Sequence, residues 1–171
     1  MNTKIIFICI ALLCTSISQA VTQQEIKNKI EQLQVQLINL QRPDGSIGAS
    51  FSFLNLLALK HSGLKNDHPV IKKGLAYCLS QKPKQYGNYP LPLLMNFLEL
   101  CDPVKYKDKI KEILNILEAR QLSDGGWGYG PISRRNNKYT DNSCSQFVVL
   151  GLASAERCGI EVNSKVKNKA I

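Results

Sequence analysis

Histidine is almost missing from this chain. His61 and His68 are its only two, which leaves little from which to build a histidine-based metal centre or a Ser-His-Asp triad. Acidic residues are also few, 13 against 22 lysines and arginines, giving a formal charge of +9. No glycine-rich phosphate loop occurs, so a nucleotide cradle is not expected. After residue 20 there is no apolar run long enough to cross a membrane. The lysines carry no interleaved aromatics. Lys65, Lys72, Lys73, Lys82 and Lys84, then Lys105, Lys107, Lys109 and Lys111, fall on polar helix faces and helix entries. They read as solvated faces, and no nucleic-acid partner is expected.

The first twenty residues are set apart by composition. Lys4 gives a short positive start, residues 5–13 an apolar run, and Ser18-Gln19-Ala20 a small-x-small cleavage site. This is the pattern of a secretory signal peptide cut near Ala20, and it is too short for a stable span. Residues 21–171 are then expected to form one exported domain, periplasmic or secreted, with no transmembrane segment. Of six cysteines, Cys78, Cys101, Cys144 and Cys158 remain. An oxidising compartment permits three complete pairings. Yet Cys78, Cys101 and Cys158 lie in apolar helical stretches, where a free thiol behaves as a small hydrophobe.

Periodicity predicts an all-α chain. Ile26, Ile30, Leu33, Leu37 and Leu40 make the apolar stripe of an amphipathic helix over about residues 23–41. Residues 51–61 are apolar nearly all round and are expected to be a buried helix ended by Gly63. A helix capped near Asp67, with Pro69 in its first turn, runs through Val70, Ile71, Leu75 and Leu79 to Gln81. Residues 91–100 are again apolar on every face. Asp102-Pro103 is expected to cap the next helix, with Ile110, Ile113, Leu114 and Leu117 as its stripe. A polar loop over residues 131–140 precedes a third all-apolar helix, residues 147–155, ended by Gly159. Ser164 reads as a helix cap with no helix after it.

Gln41, Gln81 and Gln121 recur at forty-residue intervals, each at the end of a helical stretch. Two of them open the same turn, Gln41-Arg-Pro-Asp44-Gly45-Ser-Ile47-Gly48 and Gln121-Leu-Ser-Asp124-Gly125-Gly-Trp127-Gly128. Fixed-period self-similarity signals repeats that bury their faces only against neighbours. Amphipathic helices alternating with all-apolar ones suggest two rings of helices, an α/α barrel or curved solenoid. Closing such a ring takes about six pairs, roughly 240 residues. Three pairs are present, so an incomplete ring is expected: a fragment, a half completed by a partner, or an open array able to self-associate through its apolar end.

Gln121-x-x-x-Gly125-x-Trp127 resembles the Gln-Trp repeat of squalene and hopene cyclases, whose α/α toroid is shared with protein prenyltransferase β subunits. The stretch 124–129 followed by 141–147 looks especially like exported bacterial prenyltransferase and squalene oxidase repeat proteins. The resemblance covers about residues 23–165, though Ile47 stands where the motif has tryptophan. It implies a structural role for Gln41, Asp44, Gly45, Gln81, Gln121, Asp124, Gly125 and Trp127, with Gln121 bonded near a helix terminus and Trp127 beside it.

The cyclase acid motif, Asp-x-Asp-Asp-Thr-Ala, falls on residues 141–146. Its proton-donating aspartate lands on Ser143 and the next on Cys144, so Asp141 is the one remaining catalytic candidate. A hydroxyl cannot protonate an alkene, which needs a strong acid in a dry cavity. In the prenyltransferases an aspartate and a cysteine two apart bind zinc here. Cys144 matches, but Asn142 stands at the aspartate position and both histidines lie upstream. Cys144 alone is a poor zinc site, and no cofactor is expected. Asp141 has a plainer reading as a helix N-cap. The thioester string Gly-Cys-Gly-Glu-Gln of a third toroid class is missing. The expectation is therefore a non-catalytic toroid protein binding a ligand or protein partner at the inner face or rim of the ring, through Trp127, Tyr129, Tyr139, Asp141, Asn142 and Gln146. The alternatives are a terpenoid cyclase or prenyltransferase with part of its site missing from this chain, and a truncated remnant without function.

Overall fold

The computed structural model of the chain describes residues 21–48, 51–130 and 139–170. The expected signal peptide lies outside the described residues, as does most of the polar loop at 131–140. Contacts divide the chain into two units, the first ending at Leu33 and the second running from Gln34.

In the first unit a helix begins at once. α1 (Gln23–Asn39) opens with a capping box. Thr22 Oγ1 accepts from the Glu25 amide at 3.2 Å, and the Glu25 carboxylate accepts from the Thr22 amide at 2.8 Å. Two of the four orphan N–H groups at the helix start are thereby satisfied. The expected core stripe is not realised. No residue of α1 is buried, and Ile26, Ile30 and Leu33 stay exposed. Of the expected stripe only Leu37, near the helix end, packs against the core, together with Ile38.

The second unit takes in the end of α1 and six more helices: α2 (Ser52–His61), α3 (Pro69–Ser80), α4 (Pro90–Cys101), α5 (Lys107–Ala119), α6 (Asn142–Arg157) and α7 (Ser164–Lys169). A 3-10 turn at Pro83–Gln85 sits between α3 and α4. Among the described residues there is no strand, only an isolated antiparallel bridge between Gln41 and Ile47. The chain is all-helical.

α4 is the axis of this unit. It packs against α2, α5 and α6 and buries Leu91, Pro92, Leu93, Leu94, Met95, Phe97, Leu98 and Cys101. Each large apolar side chain withdrawn from water contributes about 1.5–3 kcal/mol, and α4 contributes more of them than any other helix. α2 and α6 were expected to be equally apolar on every side. They are covered only in part: Leu54 on α2 and Val149 and Leu150 on α6 are exposed, and Phe51 lies before α2 and is exposed too. α3 and α5 behave as amphipathic helices. α5 buries Ile110, Ile113, Leu114 and Leu117 as predicted. α3 buries Val70, Ile71, Gly74 and Cys78, while Leu79 faces outward. Among the described residues the four cysteines, Cys78, Cys101, Cys144 and Cys158, are buried and free.

Several helix ends differ from expectation. α3 is capped by His68, whose Nδ1 accepts from the Val70 amide at 3.3 Å, not by Asp67. Asp102 caps a turn rather than a helix, its carboxylate accepting from Val104 and Lys105, and α5 starts only at Lys107. A helix does follow Ser164. Its cap is Asn163, which accepts from the Lys165 amide at 3.0 Å.

The two look-alike turns fold alike. Gln41 Nε2 donates to the Gly45 and Val70 carbonyls at 3.1 and 2.8 Å. Gln121 Nε2 donates to Gly125 and Val166 at 2.8 and 3.0 Å. Asp44 accepts from the Ser46 amide and Asp124 from the Gly126 amide. Gly45 and Gly125 have φ of 92° and 95°, which only glycine adopts without strain. Ile47 and Trp127 are fully buried, and their amides donate to Ser52 and Ser145, each in the first turn of the helix downstream, at 3.2 and 3.0 Å. Gln81 belongs to a different turn. Its amide returns to Tyr77 of its own helix and its carbonyl accepts from the Tyr86 hydroxyl.

These glycines separate two costs of substitution. A Cβ at Gly125 would land on the Lys169 carbonyl, whereas Gly63, with φ of 102°, has nothing within 4 Å. Gly63→Ala is expected to cost about 1–2 kcal/mol from backbone strain alone. Gly125→Ala adds a backbone clash and is expected to cost at least twice as much. Urea unfolding of the two variants, with unchanged m-values, checks the order.

Candidate functional site

Three segments meet at the start of α6: the turn after α5, the loop before α4, and α6 itself. The turn folds as it does because Asp124 organises it. Its carboxylate accepts from the Gly126 amide and from Thr140 Oγ1 at 3.2 and 2.7 Å, tying the turn to the chain entering α6. The Asp141 amide then donates to the Trp127 carbonyl at 2.9 Å.

Trp127 itself is not on this surface. It has no exposed area, and its indole N–H donates to the Leu117 carbonyl, in the last turn of α5, at 2.7 Å. An aromatic body buried with its one donor satisfied is a packing element. Tyr129, two residues on, is exposed. Its ring lies near-parallel to Tyr89, at 6.5 Å and 19°, and Tyr89 tilts against Phe147 at 4.4 Å. The Tyr129 hydroxyl is 3.1 Å from Ser143 Oγ, and Ser143 donates to Asp141. Tyr129, Ser143 and Asp141 therefore form one polar chain beside an aromatic pair. Tyr139 and Asn142 are exposed near the same helix start. Gln146 is turned to another feature, an apolar groove between α6 and α7.

Asp141 is the N-cap of α6. It accepts from the Cys144 amide at 2.9 Å. The hydrogen bond from Ser143, then that from the Cys144 amide, holds its carboxyl below the ordinary carboxylate value. A group so held is an anion at neutral pH and a poor proton donor. Cys144 is buried, and that burial, followed by the neighbouring Asp141 charge, pushes its thiol up to about 12. It is neither a thiolate nucleophile nor a ready metal ligand. His68 is committed to the cap of α3. Among the described residues no three His, Cys, Asp or Glu side chains gather in a way that could hold a metal ion.

Behind the site lies a pair of residues that the sequence did not reveal. Asn88 is fully buried. Its amide side chain donates to the Gly128 carbonyl at 2.8 Å, and its backbone amide to the Tyr129 carbonyl at 3.3 Å. Arg120 is buried as well. Its guanidinium donates to the carbonyls of Tyr86 and Lys84 and to Asn88 Oδ1, at 2.7, 3.1 and 3.2 Å. Burial lowers its pKa. Arg120 thus holds the loop before α4, and Asn88 passes that order to the turn bearing Tyr129. Partners 32 to 40 residues apart leave no trace in a single sequence. The one available cue was an arginine at the end of an otherwise apolar stripe.

No family model, curated protein or solved structure matches this chain.

Two measurements follow. Arg120→Met should leave three acceptors without their donor and cost about 2–4 kcal/mol in urea unfolding. Asp141→Asn keeps a competent cap but loses the charge. Because the folded-state pKa of Asp141 is depressed, the stabilisation from its charge is complete above the unfolded value of about 3.9. It disappears as pH falls through the folded value. The wild-type advantage over Asp141→Asn in urea midpoint should hold at about pH 6 and shrink steadily toward about pH 2.

Proposed function

We propose that this chain is an exported repeat protein of the α/α-toroid type, non-catalytic, that binds a ligand or protein partner at the mouth lined by Tyr129, Tyr89, Ser143 and Asp141. Tyr139 and Asn142 flank that mouth, while Gln146 faces the groove between α6 and α7. The observation that carries this reading is the state of Asp141. In the cyclases that residues 121–147 resemble, this helix start supplies a strong acid to an apolar substrate. Here the one carboxylate is spent as a helix cap and held as an anion, the next position is a hydroxyl, and the third a buried, protonated thiol. Protonating an alkene calls for a carboxylic acid kept neutral by a dry site, and Asp141 is driven the other way. What remains is a stacked aromatic pair with one exposed ring, edged by hydroxyls and a carboxylate. Such a surface suits binding: aromatic faces provide contact area at small entropic cost, and the polar edge fixes orientation.

The repeat reading is supported by the turn at Gln41–Gly48 recurring at Gln121–Gly128 with the same hydrogen bonds. Export rests on the composition of residues 1–20.

One experiment addresses the whole reading. The gene is expressed with its leader, and the exported chain is recovered and sequenced from its N-terminus. It is then incubated with squalene and, separately, with farnesyl diphosphate and zinc. The expected result is a chain beginning at Val21 that returns both substrates unchanged. A cyclised or transferred product would overturn the non-catalytic assignment, and a retained leader the exported one.

A further inference from the structure

One register relates α2 and α3 to α6 and α7. The Leu64 amide donates to the Leu59 carbonyl, and the Ile160 amide to the Ala155 carbonyl, at 3.1 and 2.9 Å. Gln41 and Gln121 donate to the carbonyls of Val70 and Val166. A Cβ on Gly45 or Gly125 would meet the carbonyl of Lys73 or Lys169. All these pairs stand at one separation along the chain. Counted along the helices, Phe53, Leu56 and Leu57 therefore correspond to Val149, Leu152 and Ala153, and Gly74 to Ala170. The inner part of the match is kept. Leu56 is buried over Gly74, and Leu152 is buried in a groove that Ala170 also lines. The outer part is not. Phe53 is 4% exposed, its ring 6.3 Å from Tyr77 and 5.1 Å from Tyr86, whereas Val149 is 40% exposed. α7 ends at Lys169, the counterpart of Lys73, one turn short of the level of Tyr77. The groove so left has a volume of about 480 Å³ and is walled by Val149, Leu150, Leu152, Ala153 and Val162.

The helices already in place show what fills such a seat. α4 packs on α2, and α6 packs on α4 and α5. On α4, Pro92, Met95, Asn96 and Glu99 form the i, i+3, i+4, i+7 row by which one helix receives another. α6 covers that row. It comes close because Gly151 has no side chain, and a Cβ there would stand 2.9 Å from Pro92 and 3.4 Å from Met95. Arg157 then donates to Glu99 and Asn96, at 2.8 and 3.5 Å. Gln146, Val149, Leu150 and Ala153 make the same row on α6, and it opens into the groove. Among the described residues lining the groove, the charged ones are Glu156 and Lys167, which pair with each other at 2.6 Å. The seat therefore suits an uncharged helix face. This chain's own helix of that character, α4, is enclosed in the core, so a second copy has none to offer.

We propose that the groove between α6 and α7 seats an apolar helix of a different protein, laid on α6 as α6 is laid on α4. That helix brings an aromatic side chain over Val149, where Tyr77 and Tyr86 stand over Phe53.

A labelled peptide of this chain's residues 74–102, which carries Tyr77, Tyr86 and α4, serves as the probe. Fluorescence anisotropy with the purified full chain should give a Kd of about 10 µM or tighter. Val149→Glu in the chain should weaken binding at least about tenfold. Val104→Glu, at a position exposed away from the groove, should leave it unchanged. No rise in anisotropy up to about 100 µM chain, or binding indifferent to Val149→Glu, would overturn the proposal. Sedimentation equilibrium of the chain alone tests the other occupant. A monomer is expected, and a dimer that Val149→Glu dissolves would assign the groove to a second copy and overturn the proposal too.

Discussion

A single primary amide decides how each tight turn is placed. At Gln41 and at Gln121 the side-chain nitrogen has two hydrogens, and it spends one on the turn's own glycine carbonyl and the other on a carbonyl in the next amphipathic helix. Each bond contributes about 0.5–1.5 kcal/mol net, small beside the burial on α4. Its importance is geometric. With the turn held against α3 or α7, glycine is required twice over, by its positive φ and because a side chain there would strike the Lys73 or Lys169 carbonyl. The turn so fixed buries the residue at position 47 or 127 and hands its amide to a serine in the first turn of the next apolar helix. Turn, helix start and core residue are one linked unit, and it occurs twice.

That linkage explains why Ile47 and Trp127 can occupy matching sites. The position asks for a large apolar side chain at zero exposure, and both supply one. Tryptophan adds a donor, which must then find an acceptor in the dry interior. It finds the Leu117 carbonyl in the last turn of α5, which also accepts from the Arg120 amide at 3.1 Å. The indole thus adds a second donor at that helix end, a bond that isoleucine cannot make.

The all-helical class, the α5 stripe, the largely buried α4 (only its Leu100 is exposed) and the shared turn were legible because they are local or periodic. Period 3.6 marks a face, and Asp-Gly after a helical glutamine marks a turn. What escaped depended on neighbours. α2 and α6 carry as continuous an apolar pattern as α4, and nothing within either shows that each lacks a partner on one side. Ile26, Ile30 and Leu33 match the helix template fully and remain exposed, because periodicity reports what a helix is able to bury and not what it does bury. His68 displaced Asp67 as a cap because backbone geometry, not residue ranking, decides which acceptor faces the second amide. The Arg120–Asn88 pair was invisible for a different reason. Its acceptors are backbone carbonyls of a distant loop, which have no sequence identity at all.

The site illustrates how one residue's structural duty limits its chemistry. A capping carboxylate is stabilised by donors pointing at it and by the positive end of the helix dipole. Every such donor favours the anion and lowers the pKa. A catalytic acid needs the reverse, a surrounding that penalises the anion until substrate arrives. The Ser143 hydroxyl tightens the conflict. It donates to Asp141, so it adds to the anion's stabilisation where an aspartate at that position would have raised its neighbour's pKa by like-charge repulsion. Cys144 completes the trend, since the Asp141 anion beside it keeps the thiol protonated. With serine at 143, the hydrogen bonds that Asp141 accepts favour its anion, and that anion in turn favours the protonated Cys144 thiol. Capping a helix and donating a proton are opposed duties for one carboxyl group.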